Sequence, residues 1–306
     1  MPVAITPEMA GLIVPGDPDD PIALQFVPSA LEQIILPQEL FDPINDYDHS
    51  PVKALVHRHQ NRVLLKPTNI CAVYCRFCFR RDMVGPDGDT ITQEDVEQAL
   101  TYIEGHTEIN EVILTGGDPL MLSPKKLAAL MRRLKAIPHI RWIRFHTRVP
   151  VVSPGKINDE MLVALGGTKP VIMAIHANHP REITAEVSTA LARLANSSIV
   201  LLGQSVLLKG INDKVETLAE LFETMMINRV KPYYLHHPDL TAGTSHFRFP
   251  LERGMVLMNG VRAQVSGICI PQYTLDIPGG VIKIAITPDT VQEIEGKPGA
   301  YLLRDP

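Results

Sequence analysis

The sequence is short of aromatic residues, of cysteine and of net charge, and it has no long apolar run. Lys and Arg number 29 against 34 Asp and Glu, a formal charge of −5 over 306 residues. Nucleic-acid binders usually carry a basic face. With aromatics at 5%, no basic run interleaved with aromatics makes up for the missing one. The best membrane candidate, Ser198 to Leu208, is too short to span a bilayer and contains Gly203 and Gln204. The start, Met1-Pro2-Val3-Ala4, lacks the charged-then-apolar signature of a signal peptide. The expectation is a cytoplasmic protein that binds neither nucleic acid nor membrane. Four cysteines in such a compartment argue against a disulfide framework. What remains, 45% hydrophobic and 21% charged residues, is the composition of an ordinary globular protein.

Residues 1–60 are rich in Pro and Asp, as in Pro15-Gly16-Asp17-Pro18-Asp19-Asp20-Pro21. Proline at this density breaks long helices and strands, so this part reads as a wrapping arm with short helices, one near Ala30 to Ile35. From Arg62 the pattern changes. Apolar runs at Val63–Lys66, Glu111–Leu114, Trp142–His146, Pro170–His176, Ile199–Leu208 and Pro232–His236 alternate with amphipathic stretches near 93–105, 124–136, 158–166, 183–196, 215–227 and 251–265. Thr92 with Asp95 reads as a capping box, and Ser123-Pro124 as an N-cap with Pro in the first turn. Six strand–helix repeats predict an α/β fold with a parallel sheet, a partial (β/α)6 TIM-like barrel over residues 61–265. Residues 266–306 read as a C-terminal segment of extended pieces around the Pro278-Gly279-Gly280 turn.

Three of the four cysteines fall within eight residues: Cys71-Ala72-Val73-Tyr74-Cys75-Arg76-Phe77-Cys78. They follow the first run, at the strand end that carries chemistry in barrels of this kind. Three thiolates on a four-iron cubane leave one iron open to a ligand, whereas an electron-carrying cluster normally has a fourth cysteine. Cys269 lies far off in an apolar context and reads as a small buried hydrophobe. A structural zinc with a fourth His or Cys ligand has the same spacing. His176 and His179, three apart, carry little weight as a metal pair.

Other candidate positions are ambiguous by themselves. Thr115-Gly116-Gly117-Asp118 is a turn, or a backbone stripped of side chains for a ligand to approach. Lys283 reads as a snorkelling strand lysine. Arg58 and Arg62 are surface arginines or phosphate ligands. Asp239 and Asp276 read by themselves as turn or cap residues.

The combination resolves these readings. The cysteine segment running on through Phe79-Arg80-Arg81, then Thr115-Gly116-Gly117-Asp118, His176-Ala177-Asn178-His179-Pro180, Gln204-Ser205-Val206-Leu207-Leu208 and Pro278-Gly279-Gly280 ahead of Lys283 resemble, in order, the lysine 2,3-aminomutase family of radical S-adenosylmethionine (SAM) enzymes. The resemblance implies a [4Fe–4S] cluster on Cys71, Cys75 and Cys78, and SAM held by the segment of Gly116, Gly117 and Asp118. It implies pyridoxal 5′-phosphate (PLP) in Schiff-base linkage to Lys283, with Arg58, Arg62 and Gln204 near that cofactor. It places Arg80 on the substrate carboxylate, and Asp239 and Asp276 on the distal ammonium of lysine. The activity implied is a shift of the α-amino group of L-lysine to the β carbon. The same shift on arginine, ornithine or glutamate, or for β-lysylation of elongation factor P, is the alternative, and a non-catalytic iron–sulfur or zinc protein is the alternative of another class. Partners implied are an amino acid, an electron donor of flavodoxin or ferredoxin type and further copies of the chain. Longer family members carry a cysteine-containing extension with zinc; Lys214 stands where such members can have a zinc cysteine, so no zinc is expected here.

Overall fold

The computed structural model describes residues 2–85, 88, 90–277, 283–295 and 300–304. The Pro278-Gly279-Gly280 turn lies outside the described residues. Apolar runs and amphipathic stretches alternate in space as they do along the chain. β1 (Leu55–His59) and β2 (Arg62–Thr68) form an antiparallel hairpin. From β2 the strands run parallel in chain order: β3 (Glu111–Gly116), β4 (Trp142–Thr147), β5 (Val171–His176), β6 (Val200–Val206), β7 (Lys231–His236) and β8 (Gln272–Asp276). β9 (Lys283–Ala285) returns antiparallel to β8. The sheet order is β1 through β9 without a closing pair, so the barrel is partial. β10 (Val291–Glu293) and β11 (Tyr301–Leu303) pair separately.

The helices in chain order are α1 (Pro7–Ala10), α2 (Ala23–Phe26), α3 (Gln93–Gly105), α4 (Pro124–Ala136), α5 (Val149–Val152), α6 (Asp159–Leu165), α7 (Ala185–Asn196), α8 (Val215–Ile227) and α9 (Leu251–Gln264). Their starts follow local chemistry. Thr92 and Asp95 close a reciprocal capping box on α3, and Ser123 accepts from the Lys126 N–H ahead of Pro124 in α4. Leu127, Leu130, Met131 and Leu134 recur at helical spacing and are buried. Each such side chain contributes roughly 1.5–3 kcal/mol of burial. In β4, Ile143, Phe145 and Thr147 are buried while Trp142, Arg144 and His146 on the other face are half-buried, so the inner face of the open barrel is polar.

Among the described residues, five strands lie outside the six repeats, and three of these, β1, β8 and β9, join the main sheet. β1 falls within the stretch assigned to the arm, and β8 within the C-terminal segment, making a seventh parallel strand. Gln272-Tyr273-Thr274-Leu275-Asp276 carries no continuous apolar run; pairing with β7 makes it a strand. The arm is strapped to the barrel: Leu40 bridges Thr241, and Thr6 Oγ1 donates to the Val152 carbonyl at 2.6 Å. No helix among the described residues is long and apolar enough to cross a membrane.

Candidate active site

All parallel strands end on one rim, which holds Cys71, Cys75 and Cys78 just past β2, Gly117 past β3, Arg148 past β4, His176 on β5, His236 on β7 and Asp276 on β8. That rim is where loops of a β/α barrel assemble a site.

The cysteine loop is fixed from several sides by the arm. Arg76 and Arg81 both pair with Glu32. The Arg76 N–H donates to the Gln25 carbonyl at 2.9 Å, and its guanidinium to the Pro2 carbonyl at 3.0 Å. Burial pushes the Glu32 carboxyl up, but hydrogen bonds from Arg76, the Ser29 N–H and Arg81 outweigh it and hold it at about 2. The three thiols are half-buried. Burial, aided by the Asp118 charge and the other thiols, raises Cys71 far above the usual thiol range; burial and Cys75 push Cys78 up to about 12. Buried thiols of this kind ionise when a metal takes the proton's place, so the donor set fits a metal cluster. Among the described residues no three His, Cys, Asp or Glu side chains could hold a single ion; on a cubane each thiolate binds its own iron.

Arg148 lies against this cluster of sulfurs. Its Nη1 donates to Cys75 Sγ at 2.8 Å, and its Nη2 donates to Gln25 Oε1 at 2.6 Å and Glu182 Oε2 at 2.7 Å. Asn178 Nδ2 donates to the same Gln25 oxygen at 3.0 Å. The His176 ring stacks on Phe77 of the cysteine loop, with centroids 5.6 Å apart, and its Nε2 is buried with no partner among the described residues. Burial, then the Arg148 charge, drives His176 down to about 3, so the ring is neutral. A neutral ring with an open nitrogen beside the cysteine loop suits a polar ligand such as SAM.

The two glycines after β3 serve the chain itself. Gly116 has φ +100°, in the region that favours glycine, and a Cβ there would lie 2.8 Å from Lys66 Cβ. A Cβ on Gly117 would lie 2.6 Å from Asn69 and Ile70 backbone atoms. The base of the cysteine loop thus packs directly on this turn, and Gly116 and Gly117 also line a cavity with Lys66, Asn69 and Arg80. Asp118 is likewise engaged: its carboxylate accepts from the Leu120, Arg148 and Val149 N–H groups and from Thr147 Oγ1.

On the other side of the lumen, Lys283 Nζ donates to Asp276 Oδ2 and lies 3.4 Å from His236 Nδ1. Asp276 and Lys283 are Cα partners in the β8–β9 ladder. Asp239, three residues past β7, joins them electrostatically: burial first and the Asp276 charge second raise its carboxyl to about 7, against the pull of Lys283 and Arg80. His59 on β1 is lowered to about 4 by burial, then by Arg62 and Arg58, and it feels Asp276 and Lys283 as well. Arg58 on β1 and Arg62 on β2 are thus both near His59. Arg58 Nε is buried with no partner among the described residues, an orphaned donor that suits a phosphate. Arg62 Nη1 donates to Asn61 Oδ1 at 3.1 Å. Gln204 is set by register between His176 and Tyr234 and is half-buried. Arg80 is buried, with Nη1 donating to Thr115 Oγ1 at 3.3 Å.

Two further histidines are engaged by the chain itself. His179 caps a short 3₁₀ turn through Nδ1, and His237 Nδ1 bonds the Tyr273 hydroxyl at 2.7 Å in the core. Cys269 is buried in the main apolar cluster. Glu32, Asp46, Gln25, Arg148 and Glu182 were not singled out from sequence. A signal existed for two of them: Ser29 with Glu32 has capping-box spacing, and Arg148 directly follows a strand.

The family model described as the radical SAM superfamily matches residues 65–222. The chain is 40% identical over 289 residues to the L-lysine 2,3-aminomutase of Clostridium subterminale, covering 94% of this chain and 70% of that one. It is 36% identical over 285 residues to the glutamate 2,3-aminomutase of Clostridioides difficile (strain 630), covering 93% and 67%. A radical SAM methyltransferase from Sphaerobacter thermophilus shares the fold, with a TM-score of 0.51 at 20% identity over 74% of this chain and 69% of that one. Enzymes of the 2,3-aminomutase kind work with a [4Fe–4S] cluster, SAM and PLP. With its rim of thiols, arginines and paired carboxylates on a partial barrel, this chain belongs to the lysine 2,3-aminomutase family of radical SAM isomerases.

Proposed function

We propose that the chain moves the α-amino group of L-lysine to the β carbon, giving β-lysine. One observation carries this choice of substrate: Asp239 and Asp276 act on each other, and Asp239, desolvated by burial, is raised to about 7. Lys283 Nζ now sits on Asp276; with that amine committed to PLP, the two carboxylates call for another cation, and the distal ammonium of lysine supplies one. A glutamate side chain would add a third negative charge.

When bound, the cluster and SAM supply a carbon radical that removes a hydrogen atom, and PLP supplies a carbonyl that carries the migrating nitrogen. Cys71, Cys75 and Cys78 hold the iron, and Arg148 donates a hydrogen bond to Cys75 from a frame made by Gln25 and Glu182. His176, Gln204 and the turn at Gly116, Gly117 and Asp118 line the space between the cysteine loop and the strand ends. Lys283 is the amine for PLP, with Asp276 and His236 orienting its Nζ. Arg58 Nε and Arg62 serve the phosphate. Arg80 grips the substrate carboxylate, and Asp239 with Asp276 the ammonium. The arm, bonded to the cysteine loop at Pro2 and Gln25, limits water at the reacting centre. We extend the reading to a cytoplasmic homo-oligomer that takes electrons from a flavodoxin- or ferredoxin-type donor and binds no nucleic acid, in keeping with its mildly acidic charge.

The test is an amino-acid panel with anaerobically reconstituted protein, SAM, PLP and reductant. Formation of β-lysine is expected; conversion of another amino acid with lysine left untouched would overturn the choice of substrate. Borohydride reduction should attach PLP to the peptide containing Lys283.

A further inference from the structure

Asp46 belongs to the arm, outside every motif, yet it is 1% exposed and lies among the site's arginines. Arg80 Nε and Nη2 both reach Asp46 Oδ2 at 2.8 Å. Arg58 Nη2 reaches Asp46 Oδ1 at 3.4 Å. The carboxylate is itself held in place: the Asp46 N–H donates to Asp42 Oδ1 at 3.0 Å, and Ser50 Oγ donates to the Asp46 carbonyl at 2.8 Å.

We propose that Asp46 is a positioning residue that sets Arg58 and Arg80 together, so that binding of the cofactor phosphate and of the substrate carboxylate are coupled. The proposal rests on the reading of Arg58 and Arg80 given above. Two guanidinium groups this close repel each other when buried, and a carboxylate between them removes that cost. One negative charge against two positive ones leaves a single positive charge in excess, for an incoming anion to meet. Geometry assigns the division of labour. Asp46 takes the Nε–Nη2 edge of Arg80, and Thr115 takes an N–H of Nη1. The Nη1–Nη2 edge keeps donors that no described residue takes up, and a guanidinium edge binds a carboxylate in two places. On Arg58, Asp46 and the Ile44 carbonyl take Nη2, leaving the buried Nε open. Losing the shared carboxylate would free both side chains to turn away.

The experiment uses full-length protein with its cluster reconstituted, and compares wild type with Asp46→Asn, Asp46→Glu and Arg80→Gln. PLP affinity is measured by absorbance without SAM or lysine, and lysine KM and kcat at saturating PLP. Asp46→Asn should raise the PLP Kd and the lysine KM together, each at least tenfold, at unchanged iron content, and Asp46→Glu should recover most of both. Arg80→Gln, which removes a group assigned to the substrate alone, should still raise the PLP Kd severalfold, because Asp46 then loses the partner that fixes it. This second variant decides the matter if the Asn variant does not fold. A PLP Kd within twofold of wild type in Arg80→Gln, or movement of only one constant in Asp46→Asn, overturns the coupling. A wild-type protein that binds no PLP and converts no amino acid instead overturns the functional reading on which the proposal stands.

Discussion

Asp276 and Lys283 face each other across the last hairpin of the sheet, ammonium on carboxylate. The amine assigned to PLP thus rests on a carboxylate assigned to the substrate. Were Lys283 to hold PLP, its Nζ would be committed to the cofactor and Asp276 would be left to accept another ammonium.

Asp276→Asn is therefore expected to raise the lysine KM by at least about tenfold, equivalent to ~1.4 kcal/mol, and to leave reductive SAM cleavage near the wild-type rate. Steady-state kinetics beside a 5′-deoxyadenosine assay separate the two. Equal loss of both would remove Asp276 from the substrate site.

Lysine affinity should depend on pH through Asp239. Its carboxyl is raised to about 7, so below that pH the substrate-free protein carries a proton there that a bound ammonium must displace. Affinity should rise as pH climbs through about 7, with proton release on binding. Calorimetry in two buffers of different ionisation enthalpy measures the release, and Asp239→Asn should abolish it. The sign for stability is the reverse: between the ordinary carboxyl value and about 7 the folded chain binds more protons than the unfolded one, so this group's contribution falls as pH rises.

Glu32 links the arm to the cysteine loop through two guanidinium groups. Its carboxyl is held down at about 2 against the usual 4.5, so its stabilising effect is complete above about 4.5 and is lost as pH falls towards 2. Glu32→Gln should lower iron content after reconstitution and reduce the acid sensitivity of the melting temperature below pH 4.5. Retention of the wild-type iron content would show that the loop does not need this anchor.

Gly117→Ala would place a methyl 2.6 Å from the backbone of Asn69 and Ile70. Overpacking of this kind costs about 1–3 kcal/mol, so the melting temperature should fall by several degrees and iron content should drop with it. Gly155→Ala, with nothing within 4 Å of its Cβ position, is the control and should change neither.

The chain itself carried the repeating layout. Helices α4 and α8 fall where their apolar spacing put them, and six of the parallel strands lie on the six apolar runs. The cysteine spacing and the order of the motifs carried the family. These signals are local: a helix face, a cap or a loop of thiols is written in consecutive residues. What needed the tertiary structure was every partner drawn from far along the chain. β8 is a strand because β7 lies beside it, and Gly117 is glycine because the cysteine loop presses on it. Asp46 meets Arg80 across 34 residues of sequence and Arg148 meets Cys75 across 73. No periodicity records such pairings, since they arise only when strand order brings distant loops onto one rim and burial there obliges each charge to find a partner.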